Sequence, residues 1–300
     1  MKSQKERSSM WLAFAMLAAV SFGFRGILYQ WSSQKPMERN LMLFGVYLTG
    51  TIVSLAGTFV TGQHWSSGTL IGVFMGLFSF ASNAAMVKGF AVGKASLVAV
   101  FTALPPVVVA SAAFVIWGER LNVWQTMSLL IIVSGMVMIR YSSDLSLRNL
   151  QGLQWAVITL LGFAITDLSS KQAALWETDK FPTLFLMYLT GTVLFYGTWR
   201  RFKRREAPVQ SEAALPDRAW SKRKTVGWGM FVGLTNICGM FLLLVALKDG
   251  MAGLVSAISA MNVLLILLYV RYFLKEKFRP LEAAGMWLAI GGIILLRLLG

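Results

Sequence analysis

Ten stretches of about 20 apolar residues, separated by short polar connections, dominate the sequence and leave it few ways to fold. A helix rising 1.5 Å per residue crosses roughly 30 Å of hydrocarbon in about 20 residues, and inside lipid a helix satisfies its own backbone hydrogen bonds. The predicted spans are 11–31, 40–61, 68–91, 95–117, 122–141, 152–173, 182–199, 226–247, 252–273 and 280–299. The chain is 56% apolar and only 14% charged, whereas a soluble domain is roughly half apolar and one quarter charged. The expected fold class is therefore all-α and integral to a membrane, with ten transmembrane helices and several passes through the cell membrane.

Tryptophan provides an independent test, because indole favours the headgroup level, where its ring is buried and its N–H stays wet. Trp11, Trp31, Trp117, Trp124, Trp155, Trp199 and Trp228 fall at or near span ends, and Trp65 and Trp176 lie in connections. Trp287 is the exception, well inside the last span. The first span carries Arg25 and lacks a small-residue cleavage site, so it reads as a retained helix with no soluble domain before it. The lone cysteine, Cys238, excludes an internal disulfide framework or a cysteine-rich metal site and is expected as a small buried thiol.

A net charge of +15 and the run Arg200–Arg201–Phe202–Lys203–Arg204–Arg205 invite a nucleic-acid reading. That run and Lys222–Arg223–Lys224 flank two spans, however, where basic residues hold loops on one face and meet anionic headgroups. No nucleic-acid partner is expected; the partners are the lipid bilayer and a small-molecule substrate.

Shifting the chain by 157 residues lays 68–140 on 225–297 without a gap, and about 12 of the 73 positions match. The punctuation is more telling than the identity. Gly72 and Gly76 fall on Gly229 and Gly233, Gly93 on Gly250, Glu119 on Glu276, Gly135 on Gly292 and Arg140 on Arg297. These glycines have the spacing of close-packing devices in membrane helices. The chain thus divides into repeats at 8–142 and 150–299, with a basic linker, 200–224, inside the second. Five spans per repeat is an odd number, so the second copy enters from the opposite face: two inverted repeats, an arrangement that places a substrate site between the halves. If connections alternate, the face without the termini holds more Lys and Arg, nine of them in 200–224, which would put both termini outside.

Several of these residues resemble the drug/metabolite transporter superfamily, specifically its ten-helix EamA-type members. The resemblance is carried by Gly93-Lys-Ala-Ser-Leu-Val-Ala-Val, Pro105-Pro106, Gly118-Glu119-Arg120-Leu121 and Gly135-Met-Val, and more weakly by Gly250-Met-Ala-Gly-Leu-Val and Lys275-Glu276-Lys277-Phe278. It departs at Phe22-Gly23 where the family has Trp-Gly, at Gln30 where a basic residue is common, and at Asn262 opposite Pro105. The resemblance implies alternating-access transport through a central cavity lined mainly by the first, third, fourth, sixth, eighth and ninth helices. It also implies cytoplasmic termini, against the charge count.

An ionisable side chain inside a span costs on the order of 3 kcal/mol at the helix centre and marks a functional position by default. Arg25 in the first span and Asp167 at nearly the equivalent place in the sixth are the leading candidates. Arg25 suits a carboxylate or phosphate, and Asp167 an ammonium or a coupling proton; alternatively each satisfies a neighbouring helix end. From rise per residue the two sit roughly 12 Å apart along the membrane normal. Lys88 and Lys171, nearer span ends, are expected to snorkel. Pro105 and Pro106 lie mid-span and release the carbonyls of Phe101 and Thr102, predicting a kink and making Thr102 a candidate. Asn83, Asn236 and Asn262 are mid-span amides able to bind substrate or bridge helices, and Tyr29 can gate or anchor.

An enzyme would need more. The only histidine, His64, lies in a connection, Asp167 is the one intramembrane aspartate, and no Walker-type loop is present. No catalytic residue, cofactor or metal is expected, and nothing in the sequence sets an oligomeric state. The expectation is a secondary carrier, exporting a small polar metabolite or amino-acid-like solute; the competing class is a non-transporting scaffold or lipid-handling protein.

Overall fold

The computed structural model describes residues 2–92, 95–141, 152–206, 220–273, 275 and 279–299. Gly93, Lys94, Arg148, Glu276, Lys277, Phe278 and positions 207–219 of the basic linker lie outside the described residues. Those described are helical apart from short connections: α1 (Lys2–Ser33), α2 (Arg39–Thr61), α3 (Ile71–Val92), α4 (Ala95–Phe101), α5 (Pro105–Trp117), α6 (Val123–Arg140), α7 (Leu153–Leu175), α8 (Lys180–Glu206), α9 (Lys222–Asp249), α10 (Ala252–Ala260), α11 (Asn262–Phe273) and α12 (Pro280–Leu299). Among the described residues, ten helical stretches are long and apolar enough to cross a membrane.

Twelve helices make ten spans because two spans are broken. The fourth breaks between α4 and α5, where neither Pro105 nor Pro106 can donate an N–H. The chain tightens there: Ala103 donates to the Val100 carbonyl and Leu104 to that of Phe101. The Phe101 oxygen, expected to be stranded, is therefore paired at 3.2 Å. The ninth span breaks at Met261, between α10 and α11, without any proline. Interruptions at corresponding places in two inverted repeats are the usual mark of a substrate site, since loosened backbone is tolerated in a membrane where it lines a cavity.

The repeats interlock rather than stand as separate lobes. Helix α1 packs on α9 and, in mirror fashion, α7 packs on α3; α2 meets both α8 and α9, α3 also meets α8, and α6 pairs with α12. Glycine makes the closest of these approaches. A Cβ at Gly72 would lie 2.2 Å from the Thr183 carbonyl oxygen and one at Gly76 2.4 Å from that of Met187. In the other repeat, Gly229 sits on the Met42 carbonyl and Gly233 on that of Val46, at 2.2 and 2.6 Å. The third helix of each repeat thus lies backbone to backbone on the second helix of the other, because packing and not hydrophobicity holds helices together in lipid.

Azimuth about each helix corrects one sequence expectation and explains an exception. Cys238 is exposed on the outer face of α9, 3.6 Å from Ser21 Oγ, and is not a buried thiol. Trp287 is 75% exposed, so α12 turns it outward from the bundle. Lys88 is exposed and places its ammonium 4.2 Å from the Trp155 ring.

Candidate functional site

The two broken spans face one polar cavity of about 250 Å³. Arg25, Tyr29, Asn83, Thr102, Asp167, Asn236 and Asn262 all line it, and so does Pro105; Pro106 does not. The first, third, fourth, sixth, eighth and ninth spans supply most of the wall, and Tyr47 of α2, Arg140 of α6 and Met187 of α8 complete it.

Several of these polar groups are held by a neighbour from another helix. Arg25 Nη1 donates to Asn236 Oδ1 at 2.6 Å, and its guanidinium lies 4.6 Å from the Phe22 ring and 5.9 Å from that of Tyr29. Asp167 Oδ2 accepts from Ser256 Oγ at 2.5 Å. Arg25 and Asp167 form no ion pair, so each presents its charge to the cavity with a neutral partner behind it. Asn83 donates to the Ser79 carbonyl at 2.7 Å and to the Tyr47 hydroxyl at 3.3 Å, and Tyr47 in turn contacts Ser79 Oγ at 2.5 Å. The Ser259 hydroxyl, buried at the cavity wall, has no hydrogen-bond partner. A buried donor left unpaired is unfavourable unless something else meets it.

Toward the face that bears the 34–38 connection the cavity adjoins a vestibule of about 370 Å³, with which it shares Gly26, Tyr29, Asn83, Met86 and Ile266. Tyr29 therefore stands at the passage between the two rather than at the membrane surface.

Toward the opposite face, where both termini lie, the bundle carries a buried ion pair. Lys171 Nζ sits 2.9 Å from Glu119 Oε1, and the side chains are only 7% and 16% exposed. Lys171 also donates to the carbonyls of Leu247 and Gly250, at 3.1 and 2.8 Å, so its three N–H groups have three acceptors. It does not snorkel; a partner placed across the bundle overrides the pull of the interface. Gly118 makes the geometry available. Its φ of 66° ends α5 in the left-handed conformation a glycine adopts freely, and the turn aims Glu119 at the start of α10, where it accepts the Ala252 N–H at 2.8 Å. The carboxylate thereby meets the positive end of the α10 dipole as well as the ammonium.

Asp167 and Lys171 are one turn apart on α7, as are Ser256 and Ala252 on α10. The two helices are joined by two rungs: Asp167 to Ser256 at the cavity, and Lys171 through Glu119 to Ala252 one turn nearer the termini. Beyond the second rung Leu244 lines a separate hollow with Glu177, Asp179, Lys180 and Lys248, whereas its neighbour Leu243 lines the cavity.

Arg140 is not among the residues the sequence singles out for the site, since it stands at the end of the fifth predicted span. In the structure it turns back into the bundle, donating to the Ala99 carbonyl at 3.3 Å and to the Thr102 hydroxyl, and lines the cavity. Nor are Glu119 and Ser256 among the residues singled out for the site. The available signal for Arg140 and Glu119 was their coincidence with Arg297 and Glu276 in the repeat alignment.

Ten spans in two repeats around one polar cavity define a multi-pass membrane protein with the architecture of a two-repeat transporter. The EamA-like transporter family profile matches residues 9–141 and again 150–298, and the chain belongs to that family. A solved crystal structure with 14% sequence identity superposes over 97% of this chain and 97% of its own, with a TM-score of 0.74, a likeness of fold. No curated protein sequence matches.

Proposed function

We propose that the protein is a secondary active carrier that works by alternating access and exports a small zwitterionic, amino-acid-like metabolite across the cell membrane. The reading rests on one observation: Arg25, Asp167 and the three asparagines, which lie on five different spans, converge on a single cavity. A scaffold or lipid-handling protein has no need of that convergence, because polar groups buried in a membrane are unfavourable and persist where they are used.

In this reading Arg25 meets the solute carboxylate through its planar fork, steadied by Asn236, and Asp167 meets the ammonium. The vestibule admits solute while the Lys171–Glu119 pair seals the other face, so the conformation described is open to one side. Rocking one repeat against the other would part the second rung and close the vestibule. Asp167 is also the group placed to carry a coupling proton, since a proton there competes with a solute ammonium for the same oxygens.

The test is a panel of amino acids and small polar metabolites in proteoliposomes carrying wild-type protein, Arg25→Ala or Asp167→Asn. Wild type transports at least one compound, and each variant loses at least about tenfold in rate, the factor a displacement of 1.4 kcal/mol produces. Unchanged transport of every compound by both variants refutes the assigned roles.

A further inference from the structure

We propose that Arg140 determines specificity in this cavity, selecting solutes that carry a second acidic group, carboxylate or phosphate, beyond the carboxylate met by Arg25. The inference rests on reading the cavity as a solute site and deepens it by naming the substrate class.

The first support is charge. Among the described residues lining the cavity, the charged side chains are Arg25, Arg140 and Asp167, two cations to one anion. The Lys171–Glu119 ion pair lies outside the cavity, and neither Arg25 nor Arg140 is paired with a carboxylate of the described residues. A neutral zwitterion bound between Arg25 and Asp167 leaves the positive charge of Arg140 uncompensated in a low-dielectric site. An amino acid with an acidic side chain compensates it.

The second support is direction. A cationic side chain at the last residue of a span ordinarily reaches outward to water and headgroups. Arg140 does the reverse, bending inward to the α4–α5 break. Its alignment mate Arg297, near the end of α12, is exposed and lines neither the cavity nor the vestibule. The repeat itself therefore does not demand an inward arginine here.

The third support is how Arg140 is fixed. Both of its hydrogen bonds use Nη1, one to the Thr102 hydroxyl and one to the Ala99 carbonyl, which has no backbone donor because Ala103 bonds to Val100 instead and which also accepts the Thr102 hydroxyl at 2.7 Å. Held by one corner, the planar guanidinium keeps its other N–H edge for a bidentate acid group, the geometry that suits carboxylate and phosphate alike.

The experiment compares glutamate, O-phosphoserine and glutamine, the neutral isostere of glutamate, as competitors of uptake in proteoliposomes and as ligands stabilising the detergent-solubilised protein in a thermal-shift titration. Wild type should prefer at least one acidic compound over glutamine by about tenfold or more, because a site built for a group rejects the analogue that lacks it. Whichever acid is favoured identifies the group. Arg140→Gln should erase the ratio by weakening the acidic arm while glutamine holds, and Arg140→Lys, which keeps the charge without the fork, should fall between. A wild type that treats glutamine and both acids alike overturns the proposal with no variant needed, as does an Arg140→Gln protein that keeps the wild-type ratio. Acid-selective binding without transport sustains this inference and refutes the carrier reading; transport without acid preference does the opposite.

Discussion

Replacing Lys171 by Met keeps the volume of its apolar stem and removes the ammonium that, in the proposed cycle, closes the terminal face. Glu119 then retains one protein donor, the Ala252 N–H at 2.8 Å, and is left as a carboxylate whose side chain is only 16% exposed. Stranding one member of a buried pair destabilises by about 3–5 kcal/mol, and the remaining hydrogen bond and partial exposure place this case near 3 kcal/mol. Once the terminal face opens, water reaches Glu119 and the penalty disappears. The loss thus falls on the closed state, and at 1.36 kcal/mol per tenfold it shifts the equilibrium toward opening by on the order of 100-fold. Glu119→Gln should act in the same sense, because Lys171 and the Ala252 N–H each use a different carboxylate oxygen and the single amide oxygen can accept from only one of those positions. The assay is thiol labelling at Leu247→Cys, a position 1% exposed beside the pair, in a Cys238→Ser background made necessary by the exposed native thiol. A membrane-impermeant maleimide applied from the terminal side should react roughly 100-fold faster in the Lys171→Met protein. An unchanged labelling rate together with a lowered melting temperature would show the pair to be a plain structural contact and refute its role as a seal.

Asp167→Asn should abolish acceleration of transport by a proton gradient while leaving solute exchange at equal pH measurable; a gradient response equal to wild type refutes proton coupling at this residue. Gly229→Val would push a Cβ to 2.2 Å from the Met42 carbonyl oxygen and Gly72→Val to the same distance from Thr183, so both should yield little monodisperse protein on size exclusion. Gly197→Ala, which meets nothing within 4 Å, should behave as wild type. A reporter fused to the C-terminus decides between outside termini, as loop charge expects, and cytoplasmic termini, as family resemblance implies.

Much of the architecture was legible along one dimension. Span length and the tryptophan and glycine punctuation placed ten spans to within a few residues of the observed apolar stretches, although α1 and α8 run on past theirs, since the hydrocarbon thickness sets a length any chain must match. Ionisable residues well inside a span, such as Arg25 and Asp167, were legible as candidates too, because lipid penalises them wherever they point. Their partners were not. Nothing near Arg25 in the chain says that it bonds Asn236, 211 residues away, rather than Asp167. Lys171 was expected to snorkel on depth alone, whereas its role depends on Glu119 arriving from another helix end. Arg140 read as interfacial from its place at a span end, until α6 lay beside the broken fourth span. Cys238 shared its helix with buried neighbours and differed only in azimuth.

By itself, then, the sequence determined that this chain crosses a membrane ten times in two copies of five, because hydrophobic length and repeat spacing are properties read along the chain. Only the tertiary structure decided which polar groups face one another, that Lys171 pairs with Glu119, and that Arg140 turns inward. Those outcomes depend on the rotation of each helix about its axis and on contacts between distant segments, which the glycine-mediated packing of the two repeats sets.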